Sequence, residues 1–121
     1  MRIFYLTNRK NFFKINLVIE MNVEFELGNL KFEWDSNKDE KNFEKHGLKF
    51  KLAARVFLDK NRYKEKDEFH SLDENRIITI GLVKKVLTVV YTERGEKIRI
   101  ISARRATKSE EEKYYGQFNY Y

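Results

Sequence analysis

The stretch RIITIGLVKKVLTVVYTERGEKIRIISARRA, residues 76–106, decides the fold class. Ile77, Ile78, Ile80 and Leu82, then Val86, Leu87, Val89 and Val90, then Ile98, Ile100 and Ile101 are the β-branched and apolar sets of three strands. These read as Arg76–Val83, Lys85–Thr92 and Lys97–Ala103. Lys84-Lys85 makes the first turn. Glu93-Arg94-Gly95-Glu96 makes the second, with glycine where a hairpin wants a positive φ. The expectation is an antiparallel meander. Just beyond it, Thr107 and Glu110 have the spacing of a capping box, which opens a helix that runs to about Tyr115 before Gly116.

Working upstream, Leu30, Phe32 and Trp34 alternate with polar residues and predict a short strand whose aromatic side chains anchor the core. Asp35 or Ser36 supplies a helix N-cap, the segment Asn37–His46 is helix-compatible, and Gly47 stands where a left-handed C′ residue belongs. Phe50, Ala53, Ala54 and Phe57, widened by Leu52 and Val56, give a second helix ending near Asp59. Residues 59–75 lack an apolar period and read as a solvated connection that exposes His70. The fold expected is a small single α+β domain over residues 30–121. Its antiparallel sheet comprises the three-stranded meander plus an N-terminal strand, with two N-terminal helices and a C-terminal helix. Residues 1–29 read as an N-terminal extension of uncertain structure, in which Val23, Phe25 and Leu27 alternate with Glu24 and Glu26 as in a strand, and either Met1 or Met21 is the start.

A chain of 121 residues has the size of one domain, and 41% hydrophobic with 15% aromatic residues is enough for a core. With no cysteine, disulfides, thiol catalysis and cysteine-based metal sites are excluded. The apolar runs are far short of the roughly 20 residues of a membrane span, and the N-terminus lacks the apolar core of a secretory signal. The expectation is a cytoplasmic protein without a membrane partner. Asp59, Glu65, Asp67, Glu68, Asp73 and Glu74 are interleaved with lysines and show no ligand spacing, so no metal site and no cofactor is expected.

The net charge is +6, and most of it sits in one place. Between positions 84 and 105, Lys84, Lys85, Arg94, Lys97, Arg99, Arg104 and Arg105 face only Glu93 and Glu96. Such a concentration attracts polyanions, nucleic acid first among them. A solvated surface that keeps the protein soluble accounts for the same residues.

Phe32-Glu33-Trp34-Asp35, Asn37-Lys38, Asn42, Lys45-His46-Gly47 and Phe50 resemble the opening of the BrnT family. Arg76-Ile77-Ile78-Thr79-Ile80-Gly81, Tyr91-Thr92-Glu93-Arg94-Gly95 and Arg99-Ile100-Ile101-Ser102-Ala103-Arg104-Arg105-Ala106 resemble its later segments, in the same order. The resemblance covers about residues 30 to 115. It implies a RelE-like fold and the toxin of a type II toxin–antitoxin pair. Such a toxin is a ribonuclease that inhibits translation, is neutralised by a BrnA-type antitoxin, and reaches operator DNA only through that antitoxin.

Metal-free RNA cleavage removes a proton from the 2′-OH, stabilises a phosphorane and returns a proton to the 5′-oxygen. Arg94, Arg99 and Arg104 are the candidates for the phosphorane, because a guanidinium fork matches phosphate oxygens. His46 and Glu93 are the candidate acid and base. Lys38, Asn42 and Lys45 form a polar stripe on one helix face and, with Lys97 and Arg105, are candidate RNA contacts. Competing structural roles stand beside these. Arg99 suits an ion pair with Glu93 or Glu96, and His46 suits the negative end of a helix dipole. Arg99 lies between Ile98 and Ile100 and should leave the sheet on the face opposite to theirs, while Arg104 has the other parity unless a bulge intervenes. The aromatic tail from Tyr114 to Tyr121 either folds back on the sheet or waits for a partner. A non-catalytic nucleic-acid-binding or regulatory protein, and a domain whose charge meets an acidic protein, remain the alternatives.

Overall fold

The computed structural model describes residues 2–4, 18–70 and 74–118. The elements are β1 (Arg2–Phe4), β2 (Val18–Glu20), β3 (Asn22–Leu27), β4 (Leu30–Asp35), α1 (Ser36–His46), α2 (Phe50–Ala53) with a 3-10 turn Ala54–Leu58, β5 (Tyr63–Lys66), β6 (Arg76–Val83), β7 (Lys85–Arg94), β8 (Lys97–Arg105) and α3 (Lys108–Gly116). β1 and β2 pair with each other, and the other six strands form one sheet in the order β3-β4-β8-β7-β6-β5. The fold is α+β, as expected.

The local signals at the ends of the elements are realised. The Asp35 side chain caps α1 by accepting from the Asn37 N–H at 2.8 Å, and Gly47 closes the helix at φ 71°. Thr107 and Glu110 form the capping box of α3. Gly95 turns β7 into β8 at φ 59°. Phe32, Trp34, Phe50, Val56, Val89, Ile100 and Ala103 join in a core under α1 and α2. On the other face of the sheet, Tyr114 of α3 packs with Ile80 and Val86.

Four features differ from the sequence expectation. First, the sheet is mixed, because β4 pairs in parallel with β8 while the meander and the β3–β4 and β5–β6 pairs are antiparallel. The helices carry the chain from β4 across one face to the far edge, and three reversals then return it beside β4 in the same direction. Second, the solvated connection contains β5. Its Tyr63 and Glu65 are half-buried and its Lys64 and Lys66 exposed, the pattern of a sheet edge guarded by charge. Third, the second helix is one α-helical turn continued as a 3-10 turn, where β-branched Val56 and aromatic Phe57 weaken helix propensity. Phe50, Ala53, Ala54 and Val56 are buried as expected, but Leu52 is 43% exposed. Fourth, β3 joins the sheet edge, packing Val23, Phe25 and Leu27 against the core.

Val56 leaves no room on β6. A Cβ added at Gly81 would lie 2.9 Å from Val56 Cγ1 and 3.3 Å from the Val56 carbonyl oxygen, so the close approach requires glycine. In the tail, Tyr114 is buried and Phe118 partly buried, and residues 119–121 lie outside the described residues.

Candidate functional site

The structure divides seven of the sequence-predicted site residues among three places and leaves Lys38, Asn42 and Lys45 of α1 apart from them. The first is the open part of the sheet face opposite α1 and α2. Ile98, Ile100 and Ala103 turn toward the helices, so Arg99 leaves from the other face, as its neighbours imply. A bulge between Val90 and Tyr91 leaves Ile101 unopposed, which restores Arg104 to the same face as Arg99. Both guanidinium groups are already engaged. Arg99 Nη1 donates to Glu33 Oε2 at 2.5 Å and to Asn22 Oδ1 at 2.8 Å, and Glu33 stands opposite it in the parallel β4–β8 register. Its partner is therefore Glu33 rather than Glu93 or Glu96. Arg104 forks onto Glu110 at 2.6 and 2.9 Å. Burial alone would raise the Glu110 carboxyl, but the Arg104 hydrogen bond and the Thr107 backbone outweigh it and hold it down at about 2. These two arginines tie β4 and α3 to the sheet.

The second place is the β7–β8 turn, where Glu93, Arg94 and Lys97 gather. Two hollows meet at Glu93. One, of about 220 Å³, is lined by Phe57, Arg62, Lys64, Tyr91 and the turn residues 95–98. The other, of about 370 Å³, is lined by Glu74, Asn75, Ile77, Thr92 and Arg94. The Glu93 carboxylate is exposed and forms no ion pair among the described residues. Arg94 reaches Glu74 at 3.1 Å in an exposed pair. Lys97 pairs with Glu24 of β3, which raises its ammonium pKa. Arg62 was not anticipated. It lies 4.8 Å over the Phe57 ring and donates to Thr79 Oγ1 at 3.0 Å; its charge acts on the Asp59 carboxylate, but it forms no salt bridge among the described residues. Burial pushes the Tyr91 phenol up, and neighbouring Arg62 opposes that rise. Arg62 and Lys64 fall in the segment that reads as a solvated connection, where no apolar period marks a strand. The alternation Tyr63-Lys64-Glu65-Lys66 was the available signal.

The third place is a groove of about 800 Å³ at the opposite end of β7, lined by His46, Gly47, Leu48, Leu52, Arg55, Val83, Lys84, Lys85, Leu87 and Arg105. Lys85 and Arg94 are the two ends of a ten-residue strand, about 30 Å apart at ~3.3 Å per residue. His46 and Arg105 therefore do not converge with Glu93 and Arg94 on one phosphate.

Lys38 and Lys45 are exposed on α1. Asn42 does not continue their stripe, and the expected RNA contact is corrected. It is 8% exposed, and its Nδ2 donates to the carbonyl oxygens of Leu48 at 3.0 Å and Ala103 at 2.8 Å while its Oδ1 accepts from the Ala103 N–H at 3.0 Å. Its amide is consumed in joining α1 to β8. His70 is exposed, with Nδ1 3.0 Å from Asp67. Among the described residues no cluster of three or more His, Cys, Asp or Glu side chains is placed to hold a metal, and no helix is long and apolar enough to cross a membrane.

Fold and site define a class: a small basic α+β protein that sets an exposed carboxylate among arginine and lysine side chains at one end of its sheet. The family model described as the ribonuclease toxin BrnT of a type II toxin–antitoxin system matches residues 34–110. The chain belongs to the BrnT family of ribonuclease toxins. Among solved structures, the crystal structure of the Brucella abortus ribonuclease toxin BrnT is 26% identical, with a TM-score of 0.48 over 62% of this chain and 94% of that one. No curated protein matches the chain.

Proposed function

We propose that this protein is a metal-independent endoribonuclease that acts as the toxin of a type II toxin–antitoxin pair, with its reaction centre at the β7–β8 turn. The observation that carries the reading is the Glu93 carboxylate, unpaired among the described residues and shared by a hollow holding Arg62, Lys64 and Tyr91 and a hollow holding Arg94. A carboxylate free of its own cations is available to accept a proton, and guanidinium groups on either side of it are placed for a phosphate. Glu93 takes the proton of the attacking 2′-OH. Arg62 and Arg94 stabilise the phosphorane, and Lys64 on the same hollow returns a proton to the departing 5′-oxygen. Arg94 exchanges Glu74, an exposed partner, for phosphate, a substitution that costs little in a screened surface pair. Lys97 and the exposed cations of α1 contribute to RNA affinity.

In the cell, this activity arrests translation in the cytoplasm and is relieved by a BrnA-type antitoxin, through which alone the pair reaches operator DNA. The toxin domain starts at Leu30, and β3 is an added strand on its edge.

The test is the chemistry of the cut ends. RNA incubated with the purified protein in EDTA should yield 2′,3′-cyclic phosphate and 5′-hydroxyl termini, and a substrate with 2′-deoxy sugars should stay intact. Cleavage that needs a divalent cation, or that proceeds on the 2′-deoxy substrate, would overturn the mechanism. Binding without cleavage would identify the non-catalytic module instead.

A further inference from the structure

The groove at the other end of β7 is unlike the reaction centre in composition. Its floor is aliphatic, made by Leu48, Leu52, Val83 and Leu87, and its rim is cationic, made by Arg55, Lys84, Lys85 and Arg105, with His46 beside them. Among the described residues no carboxylate lines it. None of these five rim side chains is in an ion pair among the described residues, whereas Arg94, Lys97, Arg99 and Arg104 each have a glutamate. Lys84 is the non-glycine residue with positive φ among the described residues, at 59°. A left-handed lysine at a strand turn is an uncommon conformation that glycine or asparagine would adopt more readily, and it sets an ammonium on the rim of the groove.

The floor is leucine and valine with no Phe, Tyr or Trp ring, and the side chains able to stack on a base, His46, Arg55 and Arg105, stand on the rim, which favours an apolar occupant over single-stranded RNA. Leu52 is 43% exposed on this floor, an apolar side chain that water would otherwise cover. An aliphatic floor within a rim of unpaired cations complements a helix with leucine-type side chains on one face and carboxylates along its flanks. We propose that this groove docks an acidic amphipathic helix of a partner protein, at a surface separate from the RNA-cleaving end.

The probe is a peptide of about four helical turns with leucine at i, i+3, i+4 and i+7 and glutamate on the flanks, labelled for fluorescence anisotropy. Its counterpart carries lysine in place of glutamate, and an oligouridine of about 12 nucleotides stands for RNA. The acidic peptide should bind the full chain and the lysine counterpart should not. Leu52→Asp and the pair Arg55→Glu with Lys85→Glu should each weaken the acidic peptide at least about tenfold. These substitutions lie on exposed side chains, and circular dichroism checks that the variants are folded. The same variants should leave oligouridine binding and RNA cleavage unchanged, which separates this proposal from the reading of the reaction centre. No binding of the acidic peptide, equal binding of both peptides, or indifference to the groove substitutions would overturn it. Loss of oligouridine binding or of cleavage in these variants would also overturn it and assign the groove to RNA.

Discussion

The two ends of β7 are built from the same residue types and differ in what neutralises them. At the β7–β8 turn, cations and carboxylates are interleaved: Arg94 meets Glu74, Lys97 meets Glu24, and Glu93, without an ion pair among the described residues, lies between two hollows. At the groove end the cations stand over aliphatic side chains with no carboxylate among the lining residues. The first arrangement has the proton acceptor that strand cleavage requires. The second lacks a carboxylate and has instead an apolar surface that a folded partner would cover. The difference teaches that a count of positive charge along residues 84–105 sums two sites that do not share a ligand. It also counts two arginines that hold the fold together.

The predictions probe that division. The largest effects belong to the reaction centre, where Arg62→Ala should lower the RNA cleavage rate by about 10²–10³-fold, the order associated with one group aimed at developing charge. A stability measurement by denaturant unfolding should show only a modest loss for this variant, since Arg62 is half-buried and gives up one hydrogen bond to Thr79 and its stacking on Phe57. Asn42→Ala should be a pure fold variant. It leaves the Leu48 carbonyl and both backbone groups of Ala103 without their side-chain partner, at about 2–3 kcal/mol in a denaturant titration. Arg99→Ala strips Glu33 of its cation in a part-buried pair and should cost about 2 kcal/mol of stability. Its cleavage rate, measured where the variant is folded, should stay within a few-fold of wild type. A large kinetic loss there would shift the reaction centre onto the sheet face.

The smallest effect is a pH dependence. Glu110 is held at about 2 in the folded protein, against an ordinary 4.5. A depressed carboxyl stabilises above its unfolded value and loses that stabilisation as the pH falls from about 4.5 to about 2. Because its partner Arg104 is 40% exposed and solvent screens the pair, the expected contribution is only about 1 kcal/mol. It is read as acid-sensitive unfolding of α3, and Glu110→Gln should flatten that part of the profile.

Much of this fold was legible because its signals are local. The three meander strands, the Asp35 cap, Gly47, Gly95 and the Thr107–Glu110 box each announce themselves within a few residues. What was not legible depends on partners distant in the chain. No local pattern says that β4 will lie parallel to β8, that Ile101 will bulge, or that Arg99 will find Glu33 at a separation of 66 residues. Edge strand β5 is written in lysine, glutamate and tyrosine because a sheet edge is half-solvated, so its hydrophobic period is faint. For the candidate site, residue types were legible and grouping was not. His46, Arg105, Glu93 and Arg94 were all picked out, but only the strand between them shows that they belong to two ends.

The most direct test sets Glu93→Gln against His46→Gln in one RNA cleavage assay in EDTA, with both variants first shown to be folded. The account predicts that Glu93→Gln loses about 10²–10⁴-fold in rate, as expected for removal of a general base, while His46→Gln cleaves at the wild-type rate. A collapse in the His46 variant with cleavage retained in the Glu93 variant would contradict it and move the reaction to the groove.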